Sequence, residues 1–196
     1  LEDGRIGAYA ISQAESGFTG VRAGSSDWSV QLSDGKGILA GESMQQLNAT
    51  VHSRNGQLWL ETLSGRLGTG FIAANGKLGP DLLDLQLTGA SIPLTALARS
   101  HANLLLDGKG DFTGRLTGTP DAVNLSGDFL AVQGHAFHQP FTRASGHLSL
   151  QGGLLSLTGV EVRNHSAWHR IDGSIDLAGA HAISLRVKTK GARAED

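Results

Sequence analysis

The residues in this 196-residue chain best suited to chemistry are its eight histidines. His135 and His138 stand three apart in Gly-His-Ala-Phe-His-Gln-Pro, and His165 and His169 four apart in His-Ser-Ala-Trp-His. An i, i+4 pair binds zinc when a helix puts both rings on one side, usually with a Glu between them and a third ligand elsewhere. Here strand and turn signals surround both pairs and no Glu intervenes, so they read as solvated loop histidines and no metal is expected. The chain has no cysteine, which excludes disulfides, thiolate metal sites and cysteine nucleophiles. Serine is abundant, but no Gly-x-Ser-x-Gly elbow stands between a strand and a helix. Gly118-Thr119-Pro120 is not a phosphate loop, because no Gly-Lys-Ser/Thr follows it. Carboxylates paired across strands are not set by spacing, so a glycosidase or lyase pair stays open at this level. Most acidic residues nevertheless occupy turns or the polar positions of alternating runs, where they provide solubility. Trp28, Trp59 and Trp168 suit a sugar platform or, more simply, packing. The chain reads as a non-enzyme without a cofactor.

The elements that would carry these residues are strands. Period-two alternation dominates: Asp84-Leu-Gln-Leu-Thr88, His147-Leu-Ser-Leu-Gln151, Leu155-Ser-Leu-Thr158, Val160-Glu-Val-Arg163, Ile175-Asp-Leu177 and Ile183-Ser-Leu-Arg-Val-Lys188. Successive strand side chains point to opposite faces, so these runs build a sheet apolar on one side and wet on the other. Trp59 then falls on the face opposite Leu58 and Leu60. Arg54-Asn55-Gly56, Ala74-Asn75-Gly76, Gln151-Gly152-Gly153 and Ala178-Gly179-Ala180 separate the runs. Asn-Gly and its relatives supply the positive φ of tight hairpins, which predicts an antiparallel meander. One segment breaks the pattern. Pro93, Leu94, Leu97 and Leu104 are placed for a short helix near 93–101.

The chain also repeats. Leu58 answers Leu155, Leu60 answers Leu157, Leu63 answers Val160, Phe71 answers Trp168 and Gly76 answers Gly173, each 97 residues on. Upstream the offset is 94, with Phe18-Thr19-Gly20 answering Phe112-Thr113-Gly114. This divides the chain into a first β unit (1–92), a connector (93–106) and a second β unit (107–196), in one continuous body. Polar identities change between the units: His147 aligns with Thr50, Glu161 with Ser64 and Asp176 with Gly79. That drift suits a continuing surface better than a specific site.

Net charge is −2, and no stripe of Lys and Arg with interleaved aromatics runs along the sequence, so no nucleic-acid partner is expected. One Tyr, three Trp and six Phe are too few for the aromatic girdles of a membrane barrel. The chain opens at Leu1 without a signal peptide or a membrane-length apolar run. It reads as a segment of a longer protein whose anchor lies elsewhere.

Leu116-Thr117-Gly118-Thr119-Pro120 followed by Leu125-Ser126-Gly127-Asp128-Phe129 resembles the repeat of the TamB and AsmA-like envelope proteins. Gly146-His-Leu-Ser-Leu-Gln-Gly-Gly-Leu-Leu-Ser-Leu157 and Ile171-Asp-Gly-Ser-Ile175 resemble it too. The first unit departs, with Gly24-Ser25-Ser26-Asp27 where Gly-Thr-Pro is expected. The resemblance implies an all-β fold: an elongated, curved, mainly antiparallel sheet forming an open groove, or half-tube. It further implies a periplasmic location in a two-membrane bacterium with an inner-membrane anchor. It implies phospholipid transport between the membranes, support of outer-membrane protein assembly, and an outer-membrane barrel protein of the assembly-factor type as partner.

An acyl chain in water costs about 0.8 kcal/mol per methylene, so one of about sixteen carbons costs on the order of 13 kcal/mol. A one-sided apolar sheet lowers that cost without doing chemistry. The expected lipid-lining residues are Leu58, Leu60, Leu85, Leu87, Leu148, Leu150, Leu155, Leu157, Val160, Val162, Ile175, Leu177, Leu185 and Val187. The same residues would also fill an ordinary sandwich or barrel core. Two other readings compete: a structural or adhesive β repeat that binds proteins, and a β-helix enzyme such as a polysaccharide lyase. The last needs rungs of roughly 20–30 residues, shorter than this unit.

Overall fold

The computed structural model describes residues 4–6, 9–11, 17–22, 27–39, 42–79, 82–95, 105–164, 167–178 and 182–191. Within them the chain is all-β and antiparallel. A small hairpin, β1 (Gly4–Ile6) and β2 (Tyr9–Ile11), precedes a twelve-stranded sheet. Its first six strands are β3 (Gly17–Arg22), β4 (Trp28–Leu39), β5 (Glu42–Arg54), β6 (Gln57–Leu67), β7 (Gly70–Leu78) and β8 (Leu83–Pro93). The second six are β9 (Lys109–Thr119), β10 (Ala122–Ala136), β11 (Gln139–Gln151), β12 (Leu154–Asn164), β13 (Ala167–Asp176) and β14 (Ile183–Lys190). Strand order in space is strand order in sequence, so the sheet is a pure meander. Arg54-Asn55-Gly56 and Gln151-Gly152-Gly153 fall between strands as expected, and a tight hairpin can only return the chain beside the strand it left. Ala74-Asn75-Gly76, expected as a turn, lies instead inside β7, where Gly76 is needed for close approach of β8. Asn55 and Gly56 both take positive φ, at 52° and 75°.

Each repeat unit contributes six strands to the large sheet, and β8 pairs directly with β9, so the sheet crosses the connector without interruption. The repeat extends to irregularities. A register shift between Leu60 and Leu63 in β6 recurs between Leu157 and Val160 in β12. Gly76 and Gly173 share φ values of 143° and 148°. A Cβ at either would collide with a neighbouring carbonyl oxygen, that of Asp84 or of Ser184. Only glycine fits there.

Two cross-strand rows run through all twelve strands. One passes from Gly20 through Val30, Val51, Leu60, Gly76, Leu85, Leu116, Leu125, Leu150, Leu155 and Ile175 to Ile183. The next passes from Phe18 through Leu32, Ala49, Leu63, Ala74, Leu87, Gly114, Gly127, Leu148, Leu157 and Gly173 to Leu185. Neither row carries a polar side chain, although the residues come from strands far apart in sequence. Leu60 lies in the first row and its repeat partner Leu157 in the second. The second unit is therefore shifted by two residues along the strands.

The sheet is open and uncurled. Its edge strands, β3 and β14, do not pair with each other, and extensive strand contact is confined to neighbours, apart from β2 against β4. The fold class is thus all-β and antiparallel as expected, but the described strands do not wrap into the expected half-tube. They do not form a sandwich or closed barrel either. The expected helix near 93–101 is not established: Pro93 ends β8, a helical turn starts at Leu94–Thr95, and residues 96–104 lie outside the described residues. Leu94 lies over Gly110, its Cδ2 atom occupying the space a Cβ there would need. With Ala131, Phe141 and Ala144 it forms a small cluster that Leu106, Phe129, Ala136 and Val162 border. A second cluster, Met44 and Leu67, sits near Leu47, Ile72 and Ile92. No large side chain among the described residues is fully buried.

Candidate functional site: an uncovered apolar face

Register places most of the expected lining residues on one face. Leu60, Leu85, Leu150, Leu155 and Ile175 fall in the first row, and Leu87, Leu148, Leu157 and Leu185 in the second. Leu58 pairs with Ser53 and Leu78, two residues before Leu60. Val160, Ile171 and Val187 form a further row, and Val162 lies beside Ala144. Leu177 is the exception: it follows the end of β13, in a bend where its N–H donates to the Gly153 carbonyl at 2.8 Å. The alternation of Ile175-Asp-Leu177 continues into a turn, which sequence period alone does not separate from a strand.

Burial across the face is graded. Leu60, Val160 and Ile175 are buried against their strand neighbours, but most of the set is half-buried. Leu185 and Val187 are exposed, at 39% and 54%, because β14 is an edge strand. Among the described residues no second layer covers this face beyond the patch under Leu94 and Leu106 and the contact of β2 with β4. Glycines would leave the second row thin at Gly114 and Gly127, but the Phe112 ring lies across both. A flat apolar strip results. At about 4.8 Å per strand it is roughly 53 Å long, against a bilayer hydrocarbon core of about 30 Å.

The opposite face is polar. Ser126, Ser149, Ser156, Ser174 and Ser184 form one cross-strand ladder. Trp59 lies on this side as expected, stacked on His52 at 6.4 Å with Lys77 over its ring at 5.0 Å. Trp28 sits on the apolar face in register with Ser53, and Trp168 is on the polar face of β13, so the three tryptophans make no common platform. Arg115 clamps Asp84 with two bonds of 2.6 Å, and that hydrogen bonding holds the Asp84 carboxyl below its ordinary range while raising the guanidinium. The backbone N–H of His135 donates to Asp107 at 2.6 Å, and this bond, helped by the imidazole, lowers the Asp107 carboxyl. That partnership occupies His135, and His138 sits in the turn at φ 67°. His169 lies instead on the apolar side, in the row of Val162, and bonds Thr189 at 2.9 Å, and His165 is outside the described residues. No group of three metal-ligating side chains gathers among the described residues.

One constellation escapes a sequence reading. Ser126 Oγ lies 2.9 Å from His147 Nε2, and His147 Nδ1 lies 2.9 Å from Asp128 Oδ1. This is the bonding order of a Ser-His-Asp triad, assembled by the i, i+2 spacing on β10 and the register Asp128–His147. The only signal for it would have been the hairpin register. The rest of a hydrolase is missing there. The Asp128 and His147 side chains are 84% and 44% exposed on a flat surface, and the neighbouring strand positions are paired on both sides. An oxyanion hole needs preorganised free donors in a site that excludes water. The trio reads as part of the polar ladder.

No family profile matches this chain, and no curated protein or solved structure matches it either.

Proposed function

We propose that this chain is a segment of a hydrophobic β-groove that shields acyl chains while phospholipid crosses the aqueous space between two membranes. The single observation that carries the reading is the pair of apolar rows that cross all twelve strands without a polar side chain and without a covering layer among the described residues. A sheet that needed only to fold would close over so large an apolar face. Rows running across the strands follow the long axis of the sheet, the direction in which a lipid would have to travel. Curvature that turns the strip into a groove, the periplasmic setting, the inner-membrane anchor and an outer-membrane assembly partner belong to the same proposal. They rest on the resemblance to TamB and AsmA-like proteins. Photo-crosslinking from position 157 to labelled phospholipid in cells tests it. Crosslinks to protein alone would favour the competing reading, a structural or adhesive repeat. The exposed edge strand β14 gives that reading its support, since an unpaired edge accepts another strand.

A further inference from the structure

The polar face is not uniform. Across β11 to β14 the register gathers six cations within three rows. Arg143, Arg163 and Lys190 share one row with Trp168, Arg170 and Lys188 share the next, and Arg186 stands opposite Asp172. Glu161 and Asp172 are the only carboxylates in these rows, which leaves a strongly basic patch on a chain of net charge −2. Only Arg170 has a carboxylate within ion-pair reach among the described residues, Asp172 at 3.8 Å. Arg143 and Arg163 face each other directly, a like-charge cross-strand pair that disfavours folding. The Arg163 guanidinium sits 5.3 Å over the Trp168 ring, which is 46% exposed. The same Arg-aromatic pair, Arg66 with Phe71, occurs in the first unit, so one polar identity does survive the repeat. The added cations belong to the second unit alone.

On β14 Arg186, Lys188 and Lys190 point to the basic face while Ile183 and Val187, more than half exposed, point to the other. On the basic face itself these cations stand beside an exposed tryptophan, the composition of an interfacial membrane contact. A nucleic-acid duplex is read by convex elements that enter a groove, whereas this surface is a flat sheet face. We propose that the basic face of β11–β14 docks on an anionic phospholipid bilayer. This goes beyond acyl-chain shielding and does not require it, since the docking surface is the opposite face of the sheet.

Flotation of the full chain with vesicles tests the proposal. Binding should appear with phosphatidylglycerol vesicles, be weak with phosphatidylcholine alone, and fall as salt rises. Each cation removed should weaken binding about five-fold, so Arg143→Gln, Lys188→Gln and Lys190→Gln together should lose on the order of a hundred-fold. Trp168→Ala should weaken binding while leaving its salt dependence unchanged, and Lys36→Gln, far from the patch, should change it little. Circular dichroism confirms that each variant is folded. Equal binding to neutral vesicles, no loss in the triple variant, or a preference for double-stranded DNA at equal phosphate would overturn the docking surface. If docking fails while position 157 still crosslinks to lipid, only this inference falls.

Discussion

Leu157→Asp and Val160→Asp, three residues apart on the same strand, separate an open apolar face from a closed core. Leu157 is half-buried between Leu148 and Gly173, with nothing above it among the described residues. Full burial of a leucine is worth about 1.5–3 kcal/mol, so half of that, with the lost Leu148 contact, gives roughly 1–2 kcal/mol. A carboxylate on an uncovered face stays hydrated and adds little more. Val160 is 4% exposed, and Gly146 packs so closely that a Cβ there would lie 2.7 Å from the Val160 Cα. A carboxylate at 160 would lose its water without gaining a partner, at about 4 kcal/mol or more. Urea unfolding followed by circular dichroism gives both values. Comparable losses above about 4 kcal/mol at the two sites would mean that position 157 is covered, and the open-face argument would fail.

Three further outcomes follow from the geometry. Gly76→Ala and Gly173→Ala should each cost about 2 kcal/mol or more, from positive φ and a carbonyl collision, and thermal unfolding would show it; a neutral result would mean the repeated strand geometry is wrong. Asp84 and Asp107 ionise more readily in the folded chain than their ordinary 3.8, so their ionisation favours folding; that contribution is complete above 3.8 and is lost as pH falls through the lower folded values. Asp84→Asn should flatten the acid limb of a stability-against-pH curve, and an unchanged limb would remove the Arg115 clamp from the account. Ser126→Ala should leave p-nitrophenyl acetate hydrolysis at the background rate of the parent chain; an acylation burst lost in the variant would make the trio a real catalytic site.

The strands were legible because alternation is a local signal. Leu148, Leu150, Leu155 and Leu157 declare their face within ten residues of sequence, and the 97-residue repeat carried the pattern from one unit to the other. Cross-strand assembly was not legible. Arg143 and Arg163 become neighbours only through the β11–β12 register, so a search along the sequence for a basic stripe finds none. The Ser126–His147–Asp128 trio was hidden for the same reason. Leu177 lies just past the end of β13, in a bend that alternation alone does not separate from the strand. The half-tube came from the family resemblance rather than from the residues, and alternation is equally satisfied by an open sheet.

The central claim is that lipid travels along the apolar face and not merely near the protein. A photo-crosslinking residue placed at position 157 or at Thr158 samples the two faces of one strand. In cells with labelled phospholipid, position 157 should capture acyl chains and position 158 should not. Equal labelling at both positions, or labelling at neither with crosslinks only to protein, would contradict it.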